Sequence, residues 1–147
     1  MLTYAITTPE GQLRSGQARA LTVAAQDGEL TILPGHAALA TLLRPGETRI
    51  VDSDGKEEFF VLSGGFLQIA NDNITVLADI AQRAEDLEAE AIEKAIAAAQ
   101  EQLKNARNAD DVEYTRISAA LEHELAKHRV AMKRGKASRL AGRRDAV

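Results

Sequence analysis

The chain of 147 residues contains no cysteine and no tryptophan, only three prolines, and aromatics make up just 3% of it. Without cysteine, neither a disulfide framework nor a thiolate metal site can be built. With so few aromatics, any core must rest on Val, Ile and Leu. No apolar run approaches the roughly 18 residues that span a bilayer. The start, Met1-Leu2-Thr3-Tyr4, lacks a basic segment leading into a long apolar one, so no secretory signal is expected. A net charge of −4 and a pI near 5.4 argue against a general nucleic-acid binder. These absences lead to the expectation of a soluble, cytoplasmic protein that reaches a membrane only through a partner.

What is present divides into two halves with different physics. Before Asp79 lie most of the glycines, all three prolines and a series of short β-rich segments; after Glu88 the chain is rich in Ala, Glu and Lys, with no glycine until Gly135. That contrast predicts an all-β half joined to an all-helical half. Strands are expected at Leu2 to Thr7, Arg19 to Ala25, Thr48 to Asp52, Glu57 to Leu62, Phe66 to Ala70 and Ile74 to Leu77. Ser53-Asp54-Gly55 and Asn71-Asp72-Asn73 supply the left-handed backbone angles of hairpins. Many short strands so spaced favour a sandwich or flattened barrel.

In the second half, Leu87, Ala91, Ala95, Ala98 and Leu103 recur at spacings of three to five, with Ile92, Ile96 and Ala99 beside them. A break follows at residues 105–109. Asp110 with Glu113 three residues on resembles a capping box and opens a second helix. Tyr114, Ile117, Leu121, Leu125, His128 and Met132 then follow one helical face. The expectation is an antiparallel helical hairpin. Its Ala-rich seam gains little per contact, since a buried methylene is worth about 0.8 kcal/mol, so the hairpin must lean reversibly on something else. The expected division is a β sandwich over 1–84, a two-helix hairpin over 85–134, and a flexible basic tail over 135–147.

The segment Asp27 to Ala37 is the most specific part of the chain. Gly28 permits a turn, Glu29 to Leu33 suits a strand, and Pro34-Gly35 forces a second break. Glu29 and His36 flank the bend, so a general base and its partner must be weighed. No Ser, Cys or Lys nucleophile stands in a recognisable frame beside them, and two ligands are fewer than zinc sites take. His123 and His128, five apart on a helix, do not share a face, which assigns them packing or surface roles. Gly64-Gly65 lacks the Gly-Lys-Ser/Thr of a phosphate loop and reads as a close backbone approach. Glu85, Asp86, Glu88 and Glu90 suit the positive end of a helix dipole. From Lys133 onward the chain carries +5, leaving −9 for the remainder. Such a tail suits acidic lipid, nucleic acid, an acidic protein face or a solvated terminus, though without interleaved aromatics it does not suit base stacking.

Three segments in order resemble the epsilon subunit of bacterial F-type ATP synthases, which is homologous to the mitochondrial delta subunit. They are Asp27 to Ala37 continued by Leu39 to Gly46, then Glu58 to Leu67 around Gly64-Gly65, then Asn73 to Asp79 followed by Arg83 to Leu87. The resemblance covers nearly the whole chain and implies a non-catalytic coupling subunit of a proton-translocating enzyme. It implies a β domain bound to the gamma subunit and to the c-ring, with Glu29 and His36 facing the ring's polar loops. It further implies helices that rise along gamma toward the alpha and beta subunits and inhibit ATP hydrolysis. Arg116, Arg129, Lys133 and Arg134 are then the candidates for gamma or head contacts. A peripheral place on the cytoplasmic face of the inner membrane follows from the same likeness.

Two departures stand out. Thr31 and Ala38 occupy positions where the family often has Gly and Pro. Relatives that bind ATP in the hairpin carry Ile/Leu-Asp-x-x-Arg-Ala, where this chain has Leu87-Glu88-Ala89-Glu90-Ala91-Ile92. Ala91 lacks the guanidinium fork suited to phosphate, so weak or no ATP binding is expected, and no cofactor or metal. Competing readings are a free-standing interaction adaptor and, last, a small hydrolase using Glu29 and His36.

Overall fold

The computed structural model describes residues 1–106 and 110–145, with side chains described as far as Arg134. The chain forms two compact units, Met1–Glu85 and Asp86–Val147. The first holds ten strands: β1 (Leu2–Thr8), β2 (Gly11–Ala18), β3 (Ala20–Ala25), β4 (Gly28–Ile32), β5 (Leu39–Leu43), β6 (Gly46–Val51), β7 (Glu57–Leu62), β8 (Gly65–Ala70), β9 (Asn73–Ala78) and β10 (Ala81–Arg83). Apolar residues two apart define their inner faces, as in Leu2-Tyr4-Ile6, Leu21-Val23, Phe60-Leu62, Leu67-Ile69 and Ile74-Val76, all buried in one cluster. Aliphatic residues dominate this core as expected, with Phe60 and Tyr4 as its aromatic members.

The strands run in the order β10-β7-β6-β3-β5-β8-β9-β1-β2, with β4 added beside β3. The path folds over at β3 and β5, which share the single register pair Ala25↔Leu43. Arg44 fixes that corner. Its backbone N–H donates to the Ala24 carbonyl and its Nε to the Ala25 carbonyl, both at 2.9 Å. Away from the corner, Arg14 of β2 closes onto Glu58 of β7 as a two-pronged pair, Nη2 to Oε1 at 2.7 Å and Nε to Oε2 at 3.2 Å. The sandwich is therefore nearly closed, with a backbone corner at one joint and a charged bridge at another. Burial pushes the nearby Tyr4 hydroxyl above its ordinary range, while the Arg14 charge pulls the other way.

Turn chemistry explains the joints. Asn71 and Asp72 both hold positive φ, 50° and 61°, in the two-residue turn between β8 and β9. The expected hairpin joins β6 and β7, and of its Asp-Gly pair Gly55 takes the left-handed angle, φ 85°. Asp52 organises it by accepting the Asp54 and Lys56 N–H groups on Oδ1, each at 2.9 Å. Gly64-Gly65 is the close approach the sequence suggested: a Cβ on Gly65 would collide with the Leu77 carbonyl oxygen. Strands β2 and β10 were not expected. Gly11-Gln12-Leu13-Arg14-Ser15-Gly16 has no alternation of apolar and polar residues, and β2 owes its form to seven register pairs with β1.

The second unit comprises α1 (Ala89–Asn105) and α2 (Asp111–Asp145). It follows a 3-10 turn at Ala84–Asp86, so Glu85 and Asp86 precede α1 and Glu90 is its first-turn carboxylate. Asp110 caps α2 as expected, its Oδ1 accepting the Glu113 N–H at 2.8 Å. On α1 the covered stripe is Ile92, Ala95, Ile96, Ala99 and Leu103, while Ala91 and Ala98 are exposed. Spacings of three and four put the bulky isoleucines on the stripe, rotating it from the alanine-centred one anticipated. A Glu93–His128 approach of 3.9 Å joins the two helices. The backbone of α2 continues beyond Arg134, where a basic tail was expected to begin. The side chains of that segment lie outside the described residues.

Candidate functional site

The loop after β4 is built around Pro34-Gly35. Proline presets its own φ, and Gly35 sits at φ 84°, which a side chain would resist. The His36 N–H donates to the Leu33 carbonyl at 3.1 Å, closing the turn. His36 is half-buried, and its Nδ1 lies 2.8 Å from the Ala37 carbonyl oxygen. A carbonyl only accepts, so Nδ1 carries the hydrogen, and in the neutral ring Nε2 is left as an acceptor.

Glu29 is exposed on β4, paired with Ala24 in register. Its face of the strand continues through Thr31, whose hydroxyl oxygen lies 3.0 Å from that of Thr22. Thr31, where relatives often have Gly, thus adds a cross-strand tie to the loop's base. Among the described residues no hydrogen bond or ion pair joins Glu29 to His36. The structure presents them as two separate polar side chains, one on β4 and one in the loop after it, not as a coupled acid and base.

The outer face of β5, β8 and β9 carries an apolar row that sequence inspection did not single out. Leu42 pairs with Phe66 and Phe66 with Leu77. They are 54%, 38% and 49% exposed, so the row is open to a partner rather than part of the core. The adjacent row, Ala40, Gln68 and Thr75, is more polar, which gives the strip a border. Register alone could have revealed it, once strand pairing was known.

On α2, Arg116, Arg129, Lys133 and Arg134 are all exposed. They do not form one cluster. Arg129 and Lys133 are four apart and share a side, while Arg116 and Arg134 lie five turns apart, about 27 Å along the axis. His123 was assigned a packing or surface role, and it is 5% exposed with neither ring nitrogen hydrogen-bonded. Burial holds it below the ordinary histidine range, the Lys127 charge adds to this, and Glu124 opposes it. No group of three or more metal-ligating side chains occurs among the described residues. Nor does any described helix have the length and apolarity to cross a membrane.

Glu88 and Ala91 bracket the start of α1. Glu88 occupies the N-cap position with no side-chain capping bond, and Ala91 is exposed. Neither offers a cationic group for phosphate.

Residues 1–84 match the family described as ATP synthase, Delta/Epsilon chain, beta-sandwich domain. An ATP synthase epsilon chain from Alkalilimnicola ehrlichii is 40% identical over 121 residues, covering 82% of this chain and 85% of that one. Among solved structures, one similar chain belongs to the Euglena gracilis mitochondrial ATP synthase, from a cryo-EM structure of OSCP, F1 and c-ring in rotational state 1. It has a TM-score of 0.72 at 23% identity and covers 85% of this chain and 78% of that one. Another is from the central stalk and c-ring of the Tetrahymena thermophila mitochondrial enzyme, with a TM-score of 0.57 at 16% identity, covering 90% and 94%. The two solved structures share the fold, while the sequence matches carry the kinship: the chain belongs to the ATP synthase delta/epsilon chain family, as a structural and not a catalytic component.

Proposed function

We propose that this subunit couples c-ring rotation to ATP synthesis through gamma, and that its helices restrain ATP hydrolysis. The observation that carries the reading is the likeness to an epsilon chain, 40% identical over 121 residues, or 82% of this chain. The geometry supports a division of labour. The apolar row Leu42-Phe66-Leu77 suits a lasting, largely dry contact, and gamma is its proposed occupant. Glu29 and His36, exposed or half-buried and free of mutual pairing, suit a polar contact with the loops of the c-ring.

The hairpin is the proposed regulatory arm. Ile92 and Ala99 are its buried residues on α1, so releasing that helix exposes little apolar area. Arg116, Arg129, Lys133 and Arg134 would meet gamma or the acidic face of the alpha and beta subunits at successive positions along α2. The subunit would then work at the cytoplasmic face of the inner membrane, held there by the complex. Proton flow through the membrane sector would drive it, and it needs no cofactor of its own.

Truncation of the chain after Arg83 in the assembled enzyme tests both halves of this reading. Hydrolysis should rise while proton-driven synthesis persists. Unchanged hydrolysis under every condition would remove the inhibitory role and leave coupling intact. Phe66→Glu should weaken capture of gamma by about tenfold or more, as expected at the centre of an apolar contact. Undiminished capture would move the gamma contact elsewhere.

A further inference from the structure

Asp72 does something that its place in a hairpin turn does not require. In a two-residue turn with positive φ at both positions, Asn followed by Gly is the favoured pair, because glycine meets no steric cost there. This chain places Asp at the second position, at φ 61°. Its side chain supplies the reason. Oδ1 accepts the N–H of Gly35 at 2.7 Å, across 37 residues of sequence. A carboxylate acceptor makes this a charge-assisted bond, shorter and stronger than a neutral one.

The donor is equally telling. The turn at Leu33 to His36 closes through the N–H of His36, so the N–H of Gly35 plays no part in it. Asp72 takes up that free donor and ties the His36 loop to the β8–β9 turn. The same residue's carbonyl accepts the Thr3 N–H at 2.8 Å, linking the start of β1 as well. Three segments distant in sequence therefore meet at one residue.

We infer that Asp72 is a positioning residue for the His36 loop, holding it in a fixed pose before it meets its partner. The inference rests on the proposed ring-facing role of His36 and adds the device that preorganises it. A loop fixed in advance loses less freedom on contact, so it transmits force with less slack. Asp72 itself touches no partner in this account. It acts through Gly35 and the turn.

Asp72→Gly is the decisive variant, because glycine keeps or improves the turn while removing the tether. The full-length protein is read by NMR at the Gly35 amide, and the assembled enzyme in vesicles by proton-driven ATP synthesis. In the variant, Gly35 should exchange about tenfold faster and its amide proton should move upfield, as expected on losing a charge-assisted bond. Synthesis should fall several-fold, and Asp72→Asn, which keeps an acceptor oxygen, should restore part of both signals.

Unchanged Gly35 exchange in Asp72→Gly would overturn the tether. Faster exchange with full synthesis, in an enzyme where His36→Ala lowers synthesis, would overturn the positioning role. If His36→Ala and Glu29→Ala also leave synthesis unchanged, the ring-facing reading fails, and the role built on it fails too. A loss of synthesis that Asp72→Asn does not rescue at all would make the effect one of general structure and overturn the inference as well.

Discussion

The β unit and the helical unit are each held together by different means, and the difference lies in how their cores are filled. In the β unit, Leu2, Ile6, Leu21, Phe60, Leu67 and Val76 are fully buried, and the Arg14–Glu58 bridge ties β2 to β7. Among the described residues of the helical unit the buried ones are Ile92, Ala99, Ile117, Ala126, Val130 and a histidine without partners for its ring nitrogens. Large interlocking side chains make a unit costly to open. Three aliphatic side chains, two alanines and a polar ring buried without hydrogen bonds fill the other less heavily, which predicts a lower cost of opening.

The comparison breaks most directly at Phe60. Phe60→Ala should destabilise the β unit by about 3–5 kcal/mol, a large share of a domain's whole stability. Ala99→Gly, by contrast, should cost the hairpin about 1 kcal/mol, mostly as helix propensity. Denaturant titration with separate probes in the two units reads both. Similar losses in the two units would erase the proposed contrast.

Acid should act on the hairpin through His123. Its folded-state pKa lies below the usual value of about 6.5, first from burial and then from Lys127. The neutral ring is therefore the form the folded hairpin favours. Its contribution is intact above about pH 6.5 and is lost as pH falls below that value toward the depressed folded-state pKa, because the unfolded chain takes up the proton first. Protection factors of the α2 amides, taken relative to the intrinsic exchange rate at each pH, should fall over that interval, and His123→Leu should remove the dependence. An α2 whose protection is flat from pH 7.5 to 5 would show that the buried ring is not the weak point.

These contrasts were unequally visible in the sequence. Short β-rich segments exposed β1, β3, β6, β7, β8 and β9, and left-handed residues marked both hairpins, because those signals are local. Strand β2 was hidden because Leu13 and Ala18 are its only apolar residues and do not alternate with polar ones, so that pairing with β1 makes it a strand. The α1 stripe was misplaced by one helical step, since alanines recur on all sides and the isoleucines decide. For the site, Glu29 and His36 were named from their loop. What each is bonded to depends on contacts between distant segments. The Asp72–Gly35 tether and the row Leu42-Phe66-Leu77 are created by register, which no short window of sequence contains.

A smaller effect sharpens the hairpin's own construction. Asp110→Ala removes the acceptor of the Glu113 N–H at the start of α2 and should cost about 1 kcal/mol. The loss should be confined to exchange in the first turns of α2, with the β unit unmoved. A matching loss in the β unit would mean that the two units open together.

The smallest expected effect is an absence of response to nucleotide. Phosphate recognition in a helical hairpin calls for a fixed, delocalised cation with several donors, and arginine supplies it. The aligned position here is Ala91, exposed on α1 and unable to contribute either charge or hydrogen bond. Glu88, beside it, adds negative charge where a phosphate would arrive. Calorimetry on the purified subunit should therefore detect no micromolar binding of ATP, and adding ATP should leave hairpin exchange unchanged. Micromolar affinity would mean that other cations of the helices have replaced the missing arginine. It would also make the hairpin's release answer to nucleotide as well as to acid.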